Sequence, residues 1–557
     1  MAPTGLSRNE GSGAALFFRP RPTPGRILRP PVRIGRMNAP SPPALNDIGF
    51  GTLPDLIRGH ASRQPAHAAL VQDGRTLTYA ELDALMDRVA ATFQRDGLRP
   101  RDSIAICAGT SIAYATVFLG ALRAGVVVAP LAPSCTAAEL AGMAIDAGAM
   151  FFFLDKPVAG TLEPVASTLS AKRIALDESS AGASLEAWLA PPGAKPVPVA
   201  IEPLWAFNII YSSGTTGTPK GIVQSHAMRW SHIQRAAIYG YDASSVTLLS
   251  TPLYSNTTLV SFFPTLGHGG TVVLMAKFDA AAYLALASAH RATHTMLVPV
   301  QYHRLMALPS FDSFDLSSYR MKFSTSAPFQ AALKADVLER WPGGLVEFYG
   351  MTEGGGTCIL CAHEHPAKLH TVGPPAEGHD IRLIGEDGKE VPAGQMGEVV
   401  GHSAGMMNGY HNKPEKTAQA EWYSPEGKRF IRTGDVGRFD ADGFLVLMDR
   451  KKDMIISGGF NVYPSDLEGV LRSHPAVAEC AVVGVPSEQW GETPVAFVVL
   501  KERAAANGDE VREWLNARVN KIQRLAGVEL VDSLPRSAIG KVLKRELRDA
   551  YRARESA

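Results

Sequence analysis

The chain has little of what would place it in a specialised class. Five cysteines in 557 residues cannot build a disulfide framework, so a reducing compartment, and with it a cytoplasmic location, is the expectation. The net charge of +1 lacks the basic excess that a nucleic-acid binder carries, so no nucleic-acid partner is expected. No stretch reaches the roughly 18 uninterrupted apolar residues of a membrane span. The best candidate, Ile112 to Val128, is broken by Arg123, so no integral membrane segment is expected. What remains is a globular composition, 46% hydrophobic and 20% charged, in a chain too long for one core. Two or more domains follow.

Residues 1–47 are rich in Pro, Arg and Gly without apolar periodicity. Met1 to Met37 holds seven arginines, no lysine and a single acid, Glu10. Organelle leaders share the arginine bias but are amphipathic. The stretch reads instead as a disordered tail, or as sequence upstream of a working start at Met37. From Leu53 the pattern turns globular. Thr78-Tyr79-Ala80-Glu81 is a capping box, and Leu82, Leu85, Met86, Val89, Ala90 and Phe93 form the apolar stripe of the helix behind it. Strand-like and helix-like stretches then alternate through Phe151-Phe152-Phe153-Leu154. They resume at Val246 to Pro252, Thr271 to Met275, the helix Phe278 to Ala289, and Thr295 to Pro299. Such alternation predicts an α/β fold of doubly wound, largely parallel or mixed sheets. The charge run Asp449-Arg450-Lys451-Lys452-Asp453 precedes a separate pattern of short strands and helices. The predicted layout is an N-terminal domain over 48–451 and a smaller, mobile α+β domain over 452–557.

The densest chemistry lies in Tyr211-Ser212-Ser213-Gly214-Thr215-Thr216-Gly217-Thr218-Pro219-Lys220-Gly221, directly after the apolar run Trp205 to Ile210. A buried strand feeding a tight loop is the reading. Glycines let backbone N–H groups approach an anion, hydroxyls add donors, and Lys220 adds a mobile cation. That is a polyphosphate cradle, although its spacing is not that of a Walker A loop. A flexible surface loop is the bland alternative, and the length and order of the residues weigh against it.

Downstream, Tyr349-Gly350 offers a flat ring beside open space for a purine. Thr352 and Glu353 follow at a reach suited to phosphate and to Mg²⁺, which takes oxygen ligands. Arg432-Thr433-Gly434-Asp435 places a carboxylate at an expected loop tip, where it can accept two ribose hydroxyls, with Arg450 as a second ribose or phosphate contact. Cys358 and Cys361, with His363 and His365 nearby, form one crowded pair rather than the two separated pairs of structural zinc, so they read as incidental. His294 and His303 read as hydrogen-bonded structural residues.

Taken together, these motifs resemble the adenylate-forming superfamily of acyl-CoA synthetases, carrier-protein adenylation domains and luciferases, from roughly Leu53 to Leu547. The resemblance implies that Ser212, Ser213, Gly214, Thr215, Thr216, Gly217 and Lys220 hold the ATP phosphates, and that Glu353 and Thr215 hold Mg²⁺. Thr352 would contact the α-phosphate, and Tyr349 would stack on adenine beside Gly350. Ser324-Thr325-Ser326-Ala327-Pro328 looks like the family's adenine loop, with Thr325 and Ser326 in place of glycines. Asp435 and Arg450 would take the ribose. Leu534-Pro535-Arg536-Ser537-Ala538-Ile539-Gly540-Lys541 matches the family's adenylation lysine at Lys541. Lys452 falls at the family hinge, and Gly458 and Gly459 would edge the coenzyme A channel.

The implied acyl pocket involves Tyr254, Ser255, Thr257, Val298 and Gly350. Where many relatives carry an aromatic-His pair, this chain has Tyr254-Ser255. Tyr254, Thr257, Leu259 and Phe262 suit an apolar acid, with no evident basic residue for a second carboxylate. The resemblance therefore implies an ATP-dependent acid–CoA ligase acting on a small-molecule carboxylic acid of fatty, alicyclic or aromatic type. A homodimer is compatible with it. A stand-alone enzyme loading a carrier protein is the runner-up, and a luciferase-type oxygenase has nothing in its favour. An inactive nucleotide-binding relative would require the loss of Lys220, Glu353, Asp435 or Lys541, and all four are present.

Overall fold

Two eight-stranded sheets form the bulk of the computed structural model. It describes residues 45, 48–212, 219–450, 452–457, 460–537 and 540–555. Ser213, Gly214, Thr215, Thr216, Gly217, Gly458 and Gly459 lie outside the described residues, as does nearly all of the stretch 1–47. Ile48–Ala557 clusters as one unit and Met1–Asp47 as another.

In the first sheet, strands Gly344–Tyr349, Met321–Ser324, His294–Leu297, Val246–Leu249, Thr271–Leu274 and Ala68–Gln72 run parallel in that order. An antiparallel strand closes each edge, Cys358–Cys361 at one end and Arg75–Thr78 at the other. The second sheet runs parallel through Ala206–Ser212, Val127–Pro130, Ser103–Cys107, Ala149–Leu154, Lys172–Ala175 and Ala183–Ser184. Its other end is antiparallel, built from Lys220–Ser225 and Gly409–Tyr410. Strands such as Ser103–Cys107 and Val127–Pro130 are buried along their whole length, as parallel strands covered on both faces must be.

The capping box at Thr78 forms as the sequence predicts: the Thr78 hydroxyl accepts from the Glu81 N–H, and Glu81 accepts from the Thr78 N–H. The arginine that breaks the apolar run is itself buried. Arg123 on helix Ile112–Arg123 pairs with Asp83 and Asp87 of helix Tyr79–Arg95. Asp87, 1% exposed, also takes Arg58 and Lys195, so its charge is fully compensated.

A third, antiparallel sheet contains Asp380–Ile384, Gly397–His402, Arg429–Phe439, Glu421–Tyr423 and Leu445–Arg450. It ends at Arg450. A fourth begins at Ile455 and holds Ile455–Ser457, Phe460–Val462, Gly491–Leu500, Val477–Ser487 and Gly527–Leu530. Helices Pro464–Arg472 and Gly508–Asn516 bury Leu467, Leu471, Val511 and Leu515 against it. Among the described residues no helix is long and apolar enough to cross a membrane.

Candidate active site

Strands Ala206–Ser212 and Lys220–Ser225 pair antiparallel, with Ser212 opposite Lys220. The two strands pair as a β-hairpin, and Lys220 stands at the first residue of the return strand. The hairpin base is clamped from outside. Tyr211 donates its hydroxyl to Asp146 Oδ2 at 2.7 Å, and Lys413 Nζ donates to the Pro219 carbonyl at 2.9 Å. Lys220 Nζ lies 5.0 Å from the centre of the Tyr410 ring. The Tyr410 hydroxyl in turn donates to Glu353 Oε1 at 2.8 Å. Burial and that carboxylate both raise the Tyr410 pKa, so the phenol stays a donor.

Glu353 reaches this place because the chain leaves strand Gly344–Tyr349 and turns sharply. Gly354 has φ +73°, and a Cβ there would lie 2.1 Å from the Gly405 carbonyl oxygen, so only glycine passes. The Glu353 carbonyl accepts from Met407 N at 2.8 Å, fixing the turn. Tyr349 closes the strand and donates its hydroxyl to Asp435 Oδ2 at 2.9 Å. Arg450 Nε meets the other oxygen, Oδ1, at 3.2 Å.

Asp435 does not sit at a loop tip, as the sequence led us to expect. Arg432 to Asp435 lie inside the long strand Arg429–Phe439, with Asp435 opposite Arg450. An irregularity between Asp435 and Gly437 and the left-handed Gly434, φ +72°, break the strand there as a bulge would, which is why the sequence imitates a turn. The carboxylate keeps acceptor capacity beyond Tyr349 and Arg450 for two more donors. Ser326 follows strand Met321–Ser324 with φ +78°, and its hydroxyl meets Thr257 Oγ1 at 2.6 Å. Ala327 and Pro328 continue the same loop.

Lys541 comes from the far end of the chain on a tight turn. Gly540 N donates to Ser537 O, Ser537 N to Lys541 O, and Arg536 Nη1 to Gly540 O, each at 2.8 Å. Arg536 is itself held by Glu479. The turn brings the lysine into the field of the ribose-type pair. Lys541 is brought down to about 8, chiefly by burial, with Arg450 and Lys452 contributing and Asp435 and Asp453 opposing. Gly540, at φ +76°, packs on the start of helix Pro299–Met306, where a Cβ would lie 2.6 Å from Val300 Cγ1. Lys452 is exposed in the turn after Arg450.

Beside this turn lies a cavity of about 460 Å³, a size suited to a small organic ligand. Tyr254, Val298, Val300, Arg304, Ser537 and Gly540 are among its walls. Ser255, Thr257 and Gly350 are not. Leu259 and Phe262 also fall elsewhere. They are buried in the core on helix Asn256–Gly267, which begins after Tyr254. Two basic residues, Arg304 and Arg536, line this cavity beside Tyr254, from segments outside the stretch Tyr254 to Phe262 in which the sequence showed none. Arg304 is one turn and more beyond Val298 on the next helix, and Arg536 is remote in sequence.

Cys358 and Cys361 lie on one strand at odd spacing, which points their sulfurs to opposite faces. Among the described residues no cluster of three metal-ligating side chains occurs. His294 is hydrogen-bonded, to Tyr239 O and Thr293; His303 differs from expectation and lies exposed on helix Pro299–Met306. Glu353 is the one acid at the head of the 349–353 loop. A Mg²⁺ ion held by one or two carboxylates together with substrate phosphates would fit such a donor set. Tyr410 and Gln224 escaped sequence reading. Gln224 Nε2 donates to the Thr352 carbonyl at 2.8 Å, and its only sequence signal is a polar residue inside a buried strand.

A family model described as AMP-binding enzyme matches residues 57–411, and one described as AMP-binding enzyme C-terminal domain matches 466–541. A feruloyl-CoA synthase from an Amycolatopsis species is 34% identical over 516 residues, covering 91% of this chain and 100% of the relative. A fatty acid–[acyl-carrier-protein] ligase, ScoC, from Streptomyces coeruleorubidus is 31% identical over 510 residues, covering 90% and 96%. Among solved structures, ATP-bound MatB from Rhodopseudomonas palustris superposes with a TM-score of 0.79 at 30% identity, covering 89% of this chain and 99% of that one.

Proposed function

The chain belongs to the AMP-binding enzyme family, and on that premise we propose that it is an ATP-dependent acid–CoA ligase working through an acyl-adenylate. One observation carries the reading: Lys541, more than a hundred residues from Asp435 in sequence, is half-buried within the field of Asp435 and Arg450. A lysine at that place bridges two anions that otherwise repel. The substrate is an apolar fatty, alicyclic or aromatic carboxylic acid, in keeping with the feruloyl-CoA synthase likeness.

In the first step a carboxylate oxygen attacks the α-phosphorus of ATP in line. The new O–P bond forms as the bond to pyrophosphate breaks. Catalysis is mainly positioning and charge neutralisation, and no residue acts as a covalent nucleophile. Lys220 and the hydroxyls of 213–218 receive the leaving phosphates. Lys541 bridges carboxylate and α-phosphate, Thr352 orients that phosphate, and Asp435 and Arg450 hold the ribose with Tyr349 against adenine. Glu353, oriented by Tyr410, is the residue that would hold Mg²⁺, which when bound neutralises charge on the phosphates. In the second step the thiolate of coenzyme A attacks the acyl carbon and AMP leaves, after the segment beyond Lys452 has carried Lys541 away.

Lys541→Ala tests the scheme. Acid-dependent pyrophosphate exchange should fall roughly 10²–10³-fold, the scale of removing one preorganised charge-stabilising donor. Thioester formation from supplied acyl-adenylate should persist, and equal loss of both half-reactions would refute the division of labour. The ScoC likeness supports a second reading, transfer to a carrier-protein thiol. It predicts pyrophosphate exchange without CoA-dependent AMP release.

A further inference from the structure

Behind the phosphate hairpin lies a polar trio that none of the roles above uses. Asn208 on the outgoing strand and Gln224 on the return strand face each other in register, both with no exposure. Arg229, 1% exposed on helix His226–Arg235, donates Nε to Asn208 Oδ1 at 3.1 Å and Nη2 to Gln224 Oε1. Asn208 Nδ2 donates to the same Gln224 oxygen at 3.1 Å. Among the described residues no carboxylate pairs with this guanidinium, and Nη1 has no hydrogen-bond partner. Its faces rest on Phe207 and Phe263, 5.8 and 5.4 Å from the ring centres.

A buried cation without a counter-charge is costly, so packing alone does not account for it. Its effect on Gln224 is specific. With two donors on Oε1, the amide has only one orientation, in which Nε2 points the other way. That nitrogen donates to the Thr352 carbonyl at 2.8 Å and reaches Asn256 Oδ1 at 3.4 Å. Thr352 adjoins Glu353 in the loop that faces the nucleotide. Asn256 opens the helix that follows the cavity wall residue Tyr254. One side chain thus joins the phosphate hairpin, the 349–353 loop and the start of the acid-side helix.

We propose that Gln224 is a positioning residue for the adenylation step, oriented by the buried Arg229 guanidinium so that its amide holds the Thr352 carbonyl, and with it Thr352 and Glu353, in register with the phosphate hairpin. This rests on the reading of the site as an acyl-adenylate former. Displacing reacting groups by about 1 Å can cost roughly 100-fold. Loosening the loop therefore lowers the turnover of adenylation more than it weakens binding.

Gln224→Glu keeps the size, still accepts from Arg229 and Asn208, and cannot donate to Thr352. As a second variant, Asn208→Leu, Gln224→Met and Arg229→Met together replace the trio by apolar side chains of similar volume, a change that commonly preserves or raises stability. In each folded variant we expect kcat for acid-dependent pyrophosphate exchange to fall about 10- to 100-fold, with KM for acid and ATP within about threefold. Thioester formation from supplied acyl-adenylate stays near wild type. Amide exchange over 350–353 quickens in the ligand-free protein while that of strand Gly344–Tyr349 does not. Adenylation within about twofold of wild type in a folded variant, or unchanged exchange over 350–353, overturns the proposal. So does failure of both variants to fold, which would assign the trio to the core alone. If the wild-type protein adenylates no acid, the functional reading falls, and the ligand-free exchange arm still decides the role of Gln224.

Discussion

The pH dependence of adenylation follows from the surroundings of Lys541. Burial is the largest influence on its ammonium and brings it from 10.5 to about 8, with Arg450 and Lys452 adding to the fall against Asp435 and Asp453. In the proposed role only the protonated form would bridge carboxylate and α-phosphate. With a pKa of about 8 the lysine is about nine-tenths charged at pH 7 and about one-tenth charged at pH 9, so kcat/KM for ATP should drop roughly tenfold over that range. An unshifted lysine would lose almost nothing there. Bound phosphates favour the charged form, so the alkaline limb should move to higher pH in kcat, which reports the occupied site. The assay is initial-rate pyrophosphate exchange from pH 6.5 to 10 at fixed ionic strength. Lys541→Arg supplies the control: a guanidinium stays charged throughout, so the limb should vanish while the plateau falls. A flat kcat/KM profile in the wild type, or an unchanged limb in Lys541→Arg, would refute the assignment.

Two further perturbations test neighbouring parts of the site. Gly540→Ala places a side chain at φ +76° and 2.6 Å from Val300 Cγ1, a backbone cost of about 1–2 kcal/mol before any clash. The turn should move and pyrophosphate exchange fall at least tenfold, with thioester formation from acyl-adenylate kept; adding Val300→Ala should restore part of the loss. Lys334→Met removes the buried partner of Glu347 at the strand leading to Tyr349 and should cost about 3–5 kcal/mol in urea unfolding. Burial holds Glu347 up at about 7 even with Lys334 beside it. Glu347 ionises in the wild type only as pH rises through about 7, and only then does the loss of Lys334 leave a charge unpaired, so the mutant's deficit should grow above about pH 7 rather than below it. Adding Glu347→Leu should recover most of it.

The strand–helix alternation was legible because parallel strands are continuous apolar runs and the capping box at Thr78 is local chemistry. Legibility failed where partners are distant. Tyr410 meets Glu353 across 57 residues, and Gln224 meets Thr352 across 128; neither carries a local pattern. Asp435 was misplaced for a different reason, since a glycine that interrupts a strand and one that makes a turn are the same residue in a sequence. The expectation of no basic residue beside Tyr254 rests on Tyr254 to Phe262 alone. Arg304 and Arg536 enter the cavity from other segments, which neighbours in sequence cannot reveal.

The proposed reaction joins two anions, and in that scheme two cations, Arg229 and Lys541, answer the repulsion differently. Arg229 is fixed and remote from solvent, and its charge is relayed through an amide. Lys541 stands on a turn held by Arg536 and by contact with Val300, and its charge is only partly desolvated. The fall from 10.5 to about 8 means that keeping the charged lysine in the nucleotide-free arrangement costs about 3 kcal/mol near neutral pH. On the proposed mechanism, incoming phosphates would offset that cost and draw the lysine in, and departure of pyrophosphate would restore part of it and favour withdrawal before the thiol arrives. Raising the pH above about 8 neutralises the lysine and erodes that cost, which is lost only near the free value of 10.5; on the proposed role the neutral lysine would be unable to bridge the reacting anions. The same desolvation therefore makes the arrangement reversible and sets its alkaline limit.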